Sequence, residues 1–142
     1  MYDLMIIGSG PAGISAALTA KARNLNFIWF GSRALSTKIE KAEKIMNYPG
    51  LPAVTGSEMQ SVFLKQIDDC GITITESQVN SIYDCGGYFA AGADNEIYEA
   101  KAVIMTVGMT TTREIEGEAR LLGCGVSYCA TCDGALYKLS LI

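Results

Sequence analysis

The sequence predicts an α/β domain in which a small antiparallel meander interrupts a set of parallel strands. Three observations carry that expectation. A short apolar run, Leu4 to Ile7, ends in Gly8-Ser9-Gly10-Pro11-Ala12-Gly13 and gives way to an alanine-rich stretch reaching Ala22. A second apolar run, Asn26 to Phe30, follows at once. Further on, β-rich segments are punctuated by the turn clusters Cys85-Gly86-Gly87 and Ala93-Asp94-Asn95.

Taken in order, the first run reads as a buried strand, the glycine cluster as a tight turn and the alanine-rich stretch as a helix, because the apolar period changes at the glycines. Asn26 to Phe30 completes a strand, helix and parallel strand unit. Ser32 to Pro52 lacks a strong period, and Tyr48 and Leu51 each precede a proline, so a long loop with local helical turns is expected. A helix is predicted from Gly56 to about Cys70, with Met59, Val62, Phe63 and Ile67 on one face, Ser57 and Gln60 forming a capping box, and Gly71 ending it. Ile72–Thr75, Gln78–Tyr83, Tyr88–Ala91 and Glu96–Ala100 supply the meander, and Ala102–Val107 a buried parallel strand that stops at Gly108. No long linker or repeat divides the chain. One domain over residues 1–125 and an exit segment over residues 126–142 are therefore expected.

Bulk properties narrow the chemistry. With 142 residues the chain has room for one core. A net charge of −4 provides no overall field to attract nucleic acid or an anionic membrane, so neither is expected as a partner. The basic stretch from Lys21 to Lys44 is interrupted by Glu40 and Glu43 and reads as a solvated face. No apolar run has the length of a membrane span and no export signal opens the chain, which points to the cytoplasm. The sequence contains 0 histidines, which removes a His-based triad, a His general base and His-containing zinc sites. Five cysteines, an odd number, argue against a disulfide framework and permit a reactive pair.

Gly8, Gly10 and Gly13 form a Gly-x-Gly-x-x-Gly pattern directly after a strand and before a helix. The first glycine permits the turn, the second removes a side chain where a pyrophosphate approaches, and the third lets helix and strand pack closely. The helix amides beyond the loop favour phosphate charge. An acidic residue for the ribose hydroxyls is expected at the end of the second strand, yet Gly31-Ser32-Arg33 stands there. Ser32 or backbone groups become the candidate ribose donors. Arg33 is either solvent-facing or, read in isolation, suited to a cofactor with an extra phosphate.

Cys129 and Cys132, in Cys-Ala-Thr-Cys-Asp-Gly, have the spacing of a pair that switches between dithiol and disulfide. A metal is the competing reading, but Cys124 extends the pair to only three ligands. Asp133 is placed to move a proton when a thiolate leaves or attacks. Cys70 and Cys85 lack a matching spacing and read as packing residues.

Together, Ile6-Ile7-Gly8-Ser9-Gly10-Pro11-Ala12-Gly13, Asn47-Tyr48-Pro49-Gly50 and Gly125-Val126-Ser127-Tyr128-Cys129-Ala130-Thr131-Cys132-Asp133-Gly134 closely resemble the amino-terminal part of bacterial low-molecular-weight thioredoxin reductases. The resemblance implies a Rossmann-like FAD-binding three-layer domain with a small antiparallel meander, incomplete relative to the family. It implies FAD in an extended pose, with its pyrophosphate at Gly8 to Gly13 and its isoalloxazine approached by the loop around Asn47. It also implies that Cys132 exchanges electrons with the flavin, that Cys129 attacks a thioredoxin-like disulfide, and that Asp133 is the acid/base. Family enzymes take electrons from NADPH on a second domain, whose first strand is expected after Tyr137-Lys138. That domain and the returning half of the flavin domain are expected beyond the residues present, which makes a fragment needing a complementing polypeptide, or part of a homodimeric full-length enzyme, the expected context. Two departures from the family touch the flavin neighbourhood. Ala34-Leu35-Ser36-Thr37 replaces the usual Gly-Gly-Gln segment, and Thr106-Val107-Gly108 replaces Ala-Thr-Gly, with Gly108 preserving close backbone approach. They leave room for another donor such as ferredoxin. A flavin-dependent dithiol oxidase and a non-catalytic FAD-binding fragment are the alternative readings.

Overall fold

The computed structural model describes residues 1–108, 116–121, 124 and 126. The chain divides into two compact units. One comprises Met1–Thr37 with Val62–Gly108, and the other Lys38–Ser61 with Met109–Ile142.

The first unit is built on a five-stranded mixed sheet in the order β2-β1-β5-β4-β3. Strand β1 (Tyr2–Ile7) leads through the glycine loop into helix α1 (Pro11–Ala22), which returns the chain to β2 (Phe27–Phe30), parallel to β1. Pro11 at the start of α1 suits a position where a backbone N–H would have no intrahelical acceptor anyway. Asn24 ends the turn with a φ of 54°, in the left-handed region that asparagine tolerates. Strands β3 (Val79–Asp84), β4 (Phe89–Ala93) and β5 (Glu96–Met105) form a three-stranded meander, whereas Ile72–Thr75, expected as its first strand, makes only an isolated parallel bridge from Thr75 to Phe30 of β2. The β4–β5 hairpin turns on Asp94 and Asn95, both at positive φ as a two-residue turn of matching twist requires.

The sequence suggests two strands, Glu96–Ala100 and Ala102–Val107, but one strand spans both. From Glu96 to Ala100, β5 pairs antiparallel with β4; from Ala100 to Met105 it pairs parallel with β1. A single strand thereby joins the meander to the parallel part of the sheet.

Because neighbouring residues on a strand face opposite ways, β1 feeds two layers. Met5 and Ile7 join Ile28, Phe30, Ala91, Ala93 and Ala100 in a core cluster that includes meander residues. Phe30 meets Tyr98 edge to face at 5.0 Å between ring centroids. On the other face α1 packs against β1 and β5, its small residues Gly13, Ala17 and Ala20 buried. Beside α1 lies a groove of about 390 Å³, lined in part by Leu4, Ala16, Ala20, Leu25 and Ile104.

The expected burial of the last strand is not found. Ile104, Met105 and Val107 remain 39%, 62% and 61% exposed. Past Ala100, β5 has β1 along one edge, and no strand among the described residues pairs with the other.

The second unit is smaller. Helix α2 (Thr37–Glu40) is a single turn, and an isolated antiparallel bridge joins Ile45 to Val54, closing the loop that carries Asn47. Helix α3 (Gly56–Asp69) begins here and runs into the first unit. Its capping box is Thr55 with Glu58, not Ser57 with Gln60. The Thr55 N–H donates to Glu58 Oε2 at 2.8 Å and the Glu58 N–H donates to Thr55 Oγ1 at 3.2 Å. A carboxylate is the stronger acceptor and is favoured at a helix N-terminus, so the earlier frame prevails. Met59, Phe63 and Ile67 are buried as expected, while Val62 is 44% exposed and falls outside the buried stripe. Gly71, at a φ of 59°, ends the helix. Helix α4 (Glu118–Leu121) is a further short turn.

Candidate nucleotide-binding site

The glycine loop joins the end of β1 to the start of α1, and its geometry distinguishes the three glycines. A Cβ on Gly8 would lie 2.3 Å from the Thr106 carbonyl oxygen, and one on Gly13 would lie 1.9 Å from the Gly8 carbonyl oxygen. Gly8 also has a φ of +112°, which side chains rarely adopt. A Cβ on Gly10 would meet nothing within 4 Å. Two glycines are therefore consumed by close packing of the loop, and the middle one faces open space, where a phosphate can approach the backbone. Gly10 caps α1 without a side-chain hydrogen bond, so the first-turn amides at Ala12 and Gly13 have neither a capping side chain nor an intrahelical acceptor. This cradle fits a pyrophosphate.

Three side chains hold the loop, and sequence reasoning missed the structural role of each. Trp29, buried in β2 opposite Ile6, donates its Nε1–H to the Gly8 carbonyl at 2.9 Å. Thr106 lies just past β5, and its Oγ1 sits 2.9 Å from the Ile7 carbonyl and 3.1 Å from that of Gly8. It acts on the loop rather than on a ligand. Ser9, read as a cofactor contact, is buried with its Oγ donating to the Leu35 carbonyl at 3.3 Å and accepting from the Ser32 N–H at 2.9 Å. Its hydroxyl ties the glycine loop to the turn after β2. A signal existed for Thr106, which departs from the alanine of the resembling motif. Trp29 gave none, because its reach to Gly8 follows from strand register.

The turn after β2 is closed upon itself. Beyond the Ser32 amide, the Arg33 amide donates to Glu76 Oε1 at 2.9 Å, the Ala34 amide to Ser32 Oγ at 3.1 Å and the Leu35 amide to the Ser32 carbonyl at 2.9 Å. The backbone donors proposed for a ribose are thus engaged within the protein, and the Ser32 hydroxyl, which accepts from Ala34 and still carries a proton, is the better candidate. The Arg33 guanidinium is paired with Asp68 through two contacts of 3.0 Å. That hydrogen-bonded pairing, reinforced by charge, raises the arginine's pKa and lowers the aspartate's.

The remaining candidates are scattered. Gly108 follows Thr106 at a φ of +70° and is exposed. Asn47 is exposed in the second unit, ahead of a turn in which the Leu51 N–H reaches the Tyr48 carbonyl at 3.2 Å. Cys129, Cys132 and Asp133 lie outside the described residues. Among the described residues no cluster of metal-ligating side chains occurs, and Cys70, Cys85 and Cys124 are exposed free thiols. Exposure corrects the expectation that Cys70 and Cys85 serve packing.

Comparison with known proteins completes the assignment. Residues 2–140 match the family described as pyridine nucleotide-disulphide oxidoreductase. A thioredoxin reductase of Bacillus subtilis is 32% identical over 139 residues, which are 97% of this chain and 44% of that protein. Among solved structures, a ferredoxin-flavin thioredoxin reductase from Clostridium acetobutylicum is 48% identical with a TM-score of 0.77, covering 96% of this chain and 47% of the other. The thioredoxin reductase from Streptococcus pyogenes is 35% identical with a TM-score of 0.80, covering 96% and 45% respectively. The chain spans less than half the length of these relatives. No described helix is long and apolar enough to cross a membrane. A partial Rossmann-like fold, a glycine cradle open at Gly10 and a family match over nearly every residue lead to one conclusion: the chain belongs to the pyridine nucleotide-disulphide oxidoreductase family and is homologous to the amino-terminal, FAD-binding part of bacterial low-molecular-weight thioredoxin reductases.

Proposed function

We propose that this chain is the flavin and cysteine portion of a thioredoxin-disulfide reductase, and that it hands electrons through Cys129 and Cys132 to a thioredoxin-like disulfide. The observation that carries the reading is the glycine cradle, closed at Gly8 and Gly13 and open at Gly10, in a chain that also contains Cys-Ala-Thr-Cys-Asp-Gly. FAD, when bound, supplies a two-electron reductant within the protein. The loop from Gly8 to Gly13 holds its pyrophosphate, with Ser9 and Pro11 shaping the loop and Ala12 and Gly13 presenting amides. Ser32 serves the ribose, while Asn47 and Gly108 are assigned to the flavin side by their motifs.

In the cysteine exchange, two electrons and two protons open the Cys129–Cys132 disulfide to a dithiol, Cys132 being the sulfur on the flavin side. The Cys129 thiolate then attacks one sulfur of the partner disulfide and displaces the other as a thiolate. Cys132 attacks Cys129 in that mixed disulfide, re-forms the internal bond and releases the partner as a dithiol. Asp133 delivers and removes protons at these sulfurs. Residues 1–125 form the amino-terminal part of the flavin domain, and residues 126–142 carry the cysteine pair into the start of a pyridine-nucleotide domain. The place of work is the cytoplasm. A full-length counterpart acts as a homodimer.

Ferredoxin is favoured over NADPH as the electron source. The ferredoxin-flavin thioredoxin reductase is 48% identical to this chain, against 35% for the Streptococcus enzyme. The test is reduction of a thioredoxin disulfide by the chain within its full-length or complemented protein, supplied in turn with reduced ferredoxin and with NADPH. Turnover with ferredoxin that disappears in Cys132→Ser, with FAD retained, is the expected result. Unchanged turnover in Cys132→Ser sinks the cysteine assignment, and turnover with NADPH alone sinks the donor assignment.

A further inference from the structure

The Gly8 carbonyl is the meeting point of side chains from two strands that flank β1. Trp29 of β2 donates its Nε1–H to it at 2.9 Å, and Thr106, just past β5, places Oγ1 at 3.1 Å. The one tryptophan of the sequence is buried and spends its only polar group on this single backbone atom. We propose that Trp29 and Thr106 are positioning residues that form a two-donor latch on the Gly8–Ser9 peptide, keeping its carbonyl off the phosphate side of the loop and so setting the affinity for a pyrophosphate. This rests on the reading of the glycine loop as a nucleotide site and adds to it the two side chains that hold the loop ready for an anion.

The carbonyl is turned inward. A Cβ on Gly13 would collide with its oxygen, so it points beneath the first turn of α1 and away from the open side at Gly10. Thr106 Oγ1 occupies the space that two glycines vacate, 2.8 Å from where a Cβ would stand on Gly8 and on Gly13. Little else holds this peptide. The Gly8 N–H donates to the Phe30 carbonyl at 2.8 Å and fixes the preceding peptide, and the Ser9 hydroxyl is engaged with Leu35 and Ser32, but the Ser9 N–H has no acceptor among the described residues. Glycine at a φ of +112° tolerates rotation of the peptide that follows it. Because C=O and N–H are antiparallel in a trans peptide, such a rotation would aim a partial negative charge where the helix N-terminus otherwise attracts phosphate. Either donor alone satisfies the carbonyl; loss of both leaves a buried acceptor unpaired, and the rotation then relieves it. The two donors are not equivalent. A hydroxyl has one proton, and Thr106 Oγ1 also stands 2.9 Å from the Ile7 carbonyl, so Trp29, which can only donate, is the principal donor and Thr106 the reserve.

The test titrates ADP-ribose, which carries the pyrophosphate, calorimetrically into the protein and its variants, well below the melting temperature of each. Trp29→Phe and Thr106→Val should each weaken binding by about twofold or less, because the other donor remains, and the double variant by about five- to tenfold, the weight of one hydrogen bond. An excess over the product of the single losses is the signature of a shared acceptor. A merely structural role would lower thermal stability and leave the affinity of the folded protein unmoved. Thr106→Ser, combined with Trp29→Phe in place of Thr106→Val, returns a hydroxyl and should restore the affinity. Should Trp29→Phe fold poorly, β-(3-benzothienyl)alanine incorporated in place of the tryptophan keeps its shape, replaces the N–H by sulfur and serves in the same cycle. Single losses that simply multiply, or a double variant that binds as the unaltered protein does, overturn the latch alone. Failure of the unaltered protein to bind ADP-ribose overturns the nucleotide-loop reading together with it.

Discussion

Strands β1 and β5 lie side by side, run parallel over Ala100–Met105 and are comparably apolar, yet their environments are opposite. Met5 and Ile6 are 0% exposed, whereas Met105, which pairs with Ile7, is 62% exposed. The difference is one of neighbours. β1 has β2 along one edge, β5 along the other, α1 on one face and the core cluster on the opposite face. The parallel half of β5 has β1 alone among the described strands. Hydropathy marks a strand that is suited to burial; topology decides whether anything covers it.

The sharpest break in this comparison is a pair of truncations. Ile6→Ala removes a fully buried side chain and is expected to cost about 2–5 kcal/mol. Met105→Ala, one strand away, should change stability by less than about 0.5 kcal/mol. Chemical denaturation of both variants checks the contrast, and comparable losses would mean that β5 is covered in solution.

Gly13→Ala tests the loop end of β1. Its new methyl would meet the Gly8 carbonyl, a backbone atom that cannot move without disturbing the strand, and a cost of about 1–3 kcal/mol is expected together with loss of nucleotide affinity. Gly10→Ala has room within the loop and should leave stability within about 0.5 kcal/mol while still weakening the nucleotide. Equal thermal stability for the two variants would contradict the division of labour among the glycines.

Thr106→Val sharpens the comparison from the β5 side. Unlike Met105 and Val107, Thr106 is engaged, through its Oγ1 near the Ile7 and Gly8 carbonyls, and its loss should cost about 1 kcal/mol. Denaturation midpoints of the Thr106 and Met105 variants, measured together, separate the engaged end of the segment from its uncovered side chains.

The smallest effect concerns pH. Asp3 of β1 accepts a hydrogen bond from Lys101 Nζ of β5 at 2.7 Å, and this bond, then that of the Asn26 amide, hold its pKa below the ordinary 3.8. A carboxylate whose pKa is depressed on folding stabilises the protein fully above its unfolded value and loses that contribution as pH falls through its folded value. The link between the two strands should therefore weaken only below about pH 4, and melting temperatures of the protein and Asp3→Asn should converge there. A difference between them that widens on acidification would reverse the sign.

What the sequence made legible follows the same division. The strand, glycine loop, helix and second strand were readable because glycine spacing and a change of apolar period coincide at Gly8. The meander was readable from its turn residues, confirmed at Asp94 and Asn95 by positive φ. The continuity of β5 was not, since a strand that changes partners midway leaves no mark in its own residues. Nor were the roles of Trp29 and Ser9 readable, because each acts on atoms more than 20 residues away. The capping frame was not readable, because Thr55 with Glu58 fits the same pattern as the expected Ser57 with Gln60; the Glu58 carboxylate decides between them. At the candidate site, Arg33 read equally as solvent-facing or as suited to a phosphate, and only the position of Asp68 showed the guanidinium to be paired.

The central claim is that a flavin on the Gly8–Gly13 loop is in electronic contact with the Cys129–Cys132 pair. Its most direct test is an anaerobic reductive titration of the FAD-loaded protein, counting electrons per flavin. Two electron pairs are predicted for the unaltered protein, one for the flavin and one for the disulfide, and a single pair for Cys132→Ser. Uptake of one pair by both proteins would contradict the account.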